Sequence, residues 1–252
     1  MKTEIFLGTV VAALIGGPAI SADLPTKAPY YKAPPAYYGW TGCYIGVEGG
    51  GAWGRAQTKV ASTGEPFQPR FNINGGIAGG EWGCNLQVAG SWVIGYEGDF
   101  SWTDKRGTAF DGRTAGNSAI PITIKESWIT TQRARLGLAW DRTLFYATGG
   151  VAFARVEWSG LLAPPAFGST FVARDDHTFT GGVVGGGIEH RLWDNLSIKA
   201  EYLFVDFGHK TICPNTCPTP FGPFAARTGF VTDHIVRVGL NWQFGGPVTA
   251  RY

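Results

Sequence analysis

The chain has 252 residues, of which 16% are charged and 44% apolar, and it carries 38 glycines and ten tryptophans. That is too apolar and aromatic for a disordered chain and too poor in charge for a typical soluble domain, where about a quarter of residues are charged. A net charge of +2 argues against a nucleic-acid or polyanion partner. The one segment apolar enough for a membrane helix, Ile5 to Ile20, is interrupted by Gly16, Gly17 and Pro18, which excludes a helical membrane protein.

At the N-terminus, Lys2, an apolar stretch from Ile5 to Ile15 and the small residues around Ser21 and Ala22 form a secretory signal peptide over residues 1–22. Residues 23–41 follow as a Pro-rich segment with two Lys-Ala-Pro units, read as an extended periplasmic tether within reach of the cell wall. Export permits disulfides. Cys213 and Cys217 enclose Pro-Asn-Thr, a spacing that fits a small disulfide-closed loop better than a metal site, since no histidine sits at zinc-finger spacing. No metal or cofactor is expected.

From Gly42 to Phe244 the dominant period is two, the period of a strand. Eight alternating segments follow in order: 42–54, 75–86, 92–103, 128–140, 144–158, 178–190, 196–207 and 232–244. The third is the clearest, with Trp92, Ile94, Tyr96, Phe100 and Trp102 on one parity and Val93, Gly95, Glu97, Asp99 and Ser101 on the other. The fifth is apolar on both parities, so its pattern leaves its facing open. Long connections near 55–74, 105–127, 159–177 and 208–231 alternate with tight ones at 87–91, 141–143 and 191–195. The fold class is therefore all-β: an eight-stranded antiparallel transmembrane β-barrel with short periplasmic turns and long extracellular loops, over residues 42–244, followed by a tail over 245–252.

A soluble eight-stranded barrel has the same period, so facing must decide between the two. The polar parity is mostly glycine with single acids or bases, too sparse to coat a wet exterior. Seven tryptophans, Trp53, Trp82, Trp92, Trp102, Trp128, Trp140 and Trp158, fall near segment ends, where two aromatic girdles belong. Charge on a lipid-facing position costs about 2–4 kcal/mol at mid-bilayer, so Glu48, Glu81, Glu97, Asp99, Glu189 and Glu201 are expected inside with Arg133, Arg135, Lys199 and Arg237. A barrel this narrow is filled by its side chains, so these groups should pair into a plug, with glycines making room for the arginines. Parity also places Cys43 and Cys84 on the same outward face at the turn ends of neighbouring strands, where a cross-strand disulfide fits.

Several motifs carry a family likeness: Gly39-Trp-Thr-Gly-Cys-Tyr-Ile-Gly46, Glu97-Gly-Asp-Phe100, Arg135-Leu-Gly137, Leu144-Phe-Tyr-Ala-Thr-Gly-Gly150, Glu201-Tyr202 and Arg237-Val-Gly-Leu-Asn-Trp-Gln-Phe244. In this order and spacing the chain resembles the alphaproteobacterial outer-membrane immunogenic, porin-like family, small barrels akin to the N-terminal domain of outer-membrane protein A. The resemblance implies a Gram-negative outer-membrane protein that supports envelope integrity, is exposed to the host or environment, and has no catalytic residues. It also implies a terminal aromatic insertion signal, for which Phe244 and Tyr252 are the candidates. The expected surroundings are outer-membrane lipid and lipopolysaccharide, with a host or surface ligand at the Phe-rich long loops. A narrow porin is the alternative reading. A rim-located lipid-modifying enzyme is a remote one, resting on Asp206, His209, Asp233 and His234 beside the last long loop.

Overall fold

The computed structural model describes residues 39–60, 64, 70–110, 121–161, 172–209, 211–219 and 222–244. Residues 1–38, with the expected signal peptide and most of the Pro-rich segment, and the tail 245–252 lie outside the described residues. Ten strand segments follow one another: β1 (Gly42–Val60), β2 (Phe71–Val88), β3 (Trp92–Thr103), β4 (Arg106–Phe110), β5 (Pro121–Trp140), β6 (Thr143–Leu161), β7 (Val172–Arg191), β8 (Leu196–Asp206), β9 (Thr211–Thr219) and β10 (Gly222–Phe244).

These make eight staves. β3 and β4 are one stave interrupted at Asp104 and Lys105, both pairing with β2 and β5, while β9 is a short strand laid against the far end of β10. Each stave pairs antiparallel with its neighbours in sequence, and β1 pairs with β10 from Cys43↔Phe244 onward, which closes the sheet. Closure removes the two edges that an open sheet would leave unpaired. The tight connections at 89–91, 141–142 and 192–195 lie at the same end as Gly42 and Phe244, here the turn end. Positive φ at Ala89, Gly90 and Asp141 lets the first two of these turns reverse within so few residues.

The staves run well past the segments that periodicity marked, into stretches expected to be long loops. β5 begins at Pro121, β6 reaches Leu161 and β10 starts at Gly222. The alternation was hidden there by a bulge. Glu126 pairs with Val156 but Trp128 pairs with Arg155, so Ser127 is an extra residue and the inward parity of β5 switches from even to odd across it.

On the turn side of the barrel, the outward positions are apolar and exposed: Ile45, Val47, Ile94, Leu136, Leu138, Val184, Ile188, Val238 and Leu240 among them. Aromatic residues bracket this belt. Trp92, Trp140, Trp193 and Trp242 stand exposed near the turn end and Trp53 and Trp102 near the other. Trp92 and Trp102 share one strand, and at a rise of ~3.3 Å per residue and a tilt of ~40° their levels differ by about 25 Å. Trp158 was expected in a girdle, but it is 2% exposed and points into the barrel, because β6 extends beyond the belt at that point.

Inside, toward the loop end, lies an apolar core that includes Ile73, Ile77, Ile122, Ile124, Ile129, Val156, Trp158, Phe179, Val183, Leu203, Val205 and Ile235. Phe71 packs against this core. This core and a turn-end cluster together explain the fifth predicted segment: Leu144 and Tyr146 point inward at the turn end, Ala152, Ala154, Val156 and Trp158 point into the core, Phe145, Ala147 and Val151 point outward, and both sides are apolar. Past the outer aromatics the exterior turns polar, with Arg55, Asn72, Asn74, Arg106, Lys125 and Arg155 exposed. Facing therefore reverses along the barrel axis. The belt is apolar outside and charged inside, and the extension beyond it is polar outside and apolar inside. Replacing Leu203, fully buried at the turn-side end of the apolar core, by Ala is expected to cost about 2–5 kcal/mol. The loss would be read as a lower urea midpoint in lipid vesicles, with heat-modifiable gel migration retained.

Candidate functional site

The site is the lumen, and the strand period builds it. Alternate residues of eight staves converge on a space wide enough only for side chains. At the turn end, Trp40 is buried in the mouth with Val93, Leu144 and Tyr146. Its backbone N–H donates to Gln87 Oε1 at 2.8 Å, and the Arg191 guanidinium lies 4.8 Å from its ring. Arg191 also donates to the Gly39 carbonyl at 3.1 Å and to the Asp194 carbonyl at 2.7 Å. Residues 39–41, the end of the expected tether, are thus packed into the barrel.

Above Trp40 lies the charged layer. Arg135 contacts Glu97 at 3.1 Å and Glu189 at 2.8 Å, donates to the Tyr44 hydroxyl at 2.6 Å and stacks 3.8 Å over the Tyr146 ring. Glu189 is held further by Ser197 at 2.6 Å and Asn241 at 3.1 Å. Glu97 is the hub, taking Arg133, Arg135, Lys199 at 3.1 Å and the Tyr44 hydroxyl. Arg133 reaches Asp99 at 3.1 Å and Glu201 at 2.9 Å. Arg237 reaches Asp99 at 2.9 Å, Glu201 at 2.7 Å and Glu48. Lys199 also binds Glu81, and the Tyr146 hydroxyl donates to Glu201 at 2.9 Å.

All ten charged residues singled out from the sequence are buried and joined in this one cluster. Several inward glycines face its long side chains closely. A Cβ on Gly83 would lie 2.5 Å from the Tyr44 hydroxyl, one on Gly187 2.6 Å from that of Tyr146, and one on Gly239 2.9 Å from Glu81. Cys43 and Cys84 are directly opposed on β1 and β2 and are joined as a disulfide on the outer surface. The side chains of Cys213 and Cys217 lie outside the described residues.

The four rim residues do not converge as one group, because Asp233 is turned away from His234. Asp233 and His234 are neighbours on one strand and face opposite sides of it. Asp233 is buried inside against Lys105 at 2.5 Å, and His234 is outside with its Nδ1 2.7 Å from the Tyr202 hydroxyl. The described residues contain no grouping of three or more metal-ligating side chains.

Comparison with known proteins leads to the outer membrane. A family model described as "Outer membrane protein beta-barrel domain" matches residues 32–244. The chain belongs to this outer-membrane β-barrel family. It is 31% identical over 255 residues to the 31 kDa outer-membrane immunogenic protein of Brucella melitensis, covering 97% of this chain and 100% of that one. It is 28% identical over 254 residues to the 25 kDa outer-membrane immunogenic protein of Brucella abortus, again covering 97% and 100%. Among solved structures it is similar to the outer membrane protein OprG from Pseudomonas aeruginosa, with 11% identity, coverage of 82% and 99%, and a TM-score of 0.47. The belt of this outer-membrane barrel is therefore its lipid-facing surface, the turn end is periplasmic and the extension is extracellular.

One buried group escaped the sequence reading. Just beyond the outer aromatic level, inside the extension, Lys105 lies 2.7 Å from Glu126 and 2.5 Å from Asp233. Lys105 continues the inward odd parity of Glu97, Asp99, Ser101 and Thr103, so it was legible; Glu126 was masked by the bulge at Ser127. Burial pulls the Lys105 pKa down, but the Asp233 and Glu126 charges outweigh it and leave it raised. One cation cannot neutralise two carboxylates, and burial, with the Asp233 charge adding to it against Lys105, raises Glu126 to about 8.

The folded barrel holds a proton on Glu126 that the unfolded chain releases near pH 4.3, so this contribution to stability is full below about pH 4.3 and is lost as pH rises through about 8. Glu126→Gln should flatten that part of the stability profile, measured as urea midpoints between about pH 4 and 9. In the charged layer, Arg133→Met strands Glu97, Asp99 and Glu201 with fewer partners and is expected to cost about 3–5 kcal/mol. Coupling to Glu201→Gln in a double-mutant cycle should make the pair cheaper than the sum of the single replacements.

Proposed function

We propose that this barrel is a non-conducting structural protein of the outer membrane. It supports envelope integrity and presents its extracellular extension and loops to the surroundings. The observation that carries this reading is the stacking along the axis: the Trp40 mouth, the buried ionic layer and the apolar core lie one above another. Ions crossing such a lumen would have to displace paired charges and then enter a dry hydrocarbon-like section, which is costly on both counts.

The role is one of surface and scaffold, without catalysis. The relatives' names describe immunogenic outer-membrane proteins, which suits a chain whose polar, strand-built extension stands outside the cell. The ionic layer acts as a plug that fixes the barrel's cross-section. Planar-bilayer recording on the refolded full chain tests this: the expected result is no steady current above that of the bare bilayer. Regular conductance steps would replace the reading with that of a narrow porin.

A further inference from the structure

On the outside of the barrel, at the level where the lipid-facing belt ends, β1, β2 and β10 frame a recess of about 520 Å³ lined by Trp53, Arg55, Asn72, Asn74, Thr232 and His234. Arg55 and Thr232 are shared with a second recess of about 230 Å³ that also takes in Gln57 and Arg70. Arg55 is exposed, and among the described residues it pairs with no carboxylate. The acid in its cross-strand row, Asp206, stands beyond Thr232, and its Oδ1 accepts the Gly208 N–H at 2.8 Å. The Trp53 and His234 rings stack 6.2 Å apart, with His234 tied to the Tyr202 hydroxyl, so one wall of the recess is a fixed aromatic face.

Below the recess the lipid-facing surface of β1 and β2 is nearly bare. Gly51 opposes Gly76, Gly49 opposes Ala78, and Gly80 opposes Val47. Exposed Val236 and Val238 on β10 flank this strip on one side, and Phe100 and Trp102 on β3 on the other. The fold does not demand these outward glycines. A Cβ on Gly51 would meet nothing within 4 Å, one on Gly49 nothing closer than the Ile77 carbonyl oxygen at 3.6 Å, and one on Gly76 nothing closer than 3.6 Å, there the Asp104 carboxylate that accepts the Gly76 N–H at 2.7 Å at the head of the strip; a Cβ on the inward Gly50 would instead sit 2.0 Å from the Val236 carbonyl oxygen. Glycine weakens a strand interior, and close approach of a ligand or another backbone is one of the uses that places it there.

We propose that the recess and the trough together bind one phosphorylated, multiply acylated glycolipid of the outer leaflet. Arg55 faces its phosphate, Asn72 and Asn74 its sugar hydroxyls, and the Trp53–His234 face flanks a sugar ring. One acyl chain lies along the glycine floor between the valine and aromatic walls. The recess sits at headgroup height and carries an uncompensated cation, and the trough begins directly beneath it, so head and tail chemistry are joined in the order a lipid presents them.

Native mass spectrometry of the full chain in mild detergent doped with bisphosphorylated, hexa-acylated lipid A tests it. One lipid is expected to stay bound per barrel, with retention at least tenfold lower for the dephosphorylated form. Arg55→Ala and Gly51→Leu should each reduce retention at least tenfold while heat-modifiable migration is kept. Arg155→Ala on the far side of the barrel should leave retention unchanged. If Gly51→Leu fails to fold, Gly49→Leu serves in its place. Equal retention of phosphatidylglycerol, unchanged retention in the Arg55 and glycine variants, or a lipid-free dimer that Gly51→Leu abolishes would each overturn the proposal, the last by assigning the trough to a second copy of this chain.

Discussion

The pairing of β1 with β10 is the constraint on which everything else rests. Once the first and last strands join, every stave has two neighbours and the backbone needs no hydrogen bonds from its surroundings, which is the condition for standing in hydrocarbon. Closure with eight staves also fixes the bore, and a bore this narrow must be filled by whatever its inward positions carry. Ten charged side chains at the level of the lipid-facing belt are therefore turned inward, away from its outer surface. They are concentrated into one layer, where each arginine is shared among two or three carboxylates.

The same closed sheet meets two solvents, and the side chains change sides accordingly. Within the bilayer Leu240 faces out and Arg237 faces in. A few residues along, Arg155 and Lys125 face out while Val156 and Ile124 face in. The sheet does not need to break for this exchange, but it does need adjustment, and Ser127 supplies an extra residue at the boundary. The Lys105, Glu126 and Asp233 trio sits at the same level, a small polar island between the ionic layer and the main body of the extension core.

The lipid-facing strands were legible because their alternation is clean. On β3 and β10 one parity within the belt is aromatic or aliphatic and the other mostly glycine, polar or charged, and the cross-sheet consequence, the gathering of ten charged groups, follows from solvation alone. The extension was not legible for two reasons. Its exterior charges and interior aliphatics invert the rule that worked below, so β6 reads as apolar on both faces. On β5 the added Ser127 shifts the parity, so Ile122, Ile124 and Glu126 fall out of step with Ile129 and Thr131. Short-range pattern also made neighbours of Asp233 and His234, which the strand then turned to opposite sides.

The turn-end mouth has a mechanical meaning. Trp40 is socketed beside Arg191, and only a few residues later Cys43 is bonded to Cys84 across the first pair of staves. A pull on the chain ahead of Gly39 is taken up first by the indole socket and then by a covalent link shared between β1 and β2. It therefore loads two staves together along their length instead of peeling β1 from its seam with β10 one rung at a time.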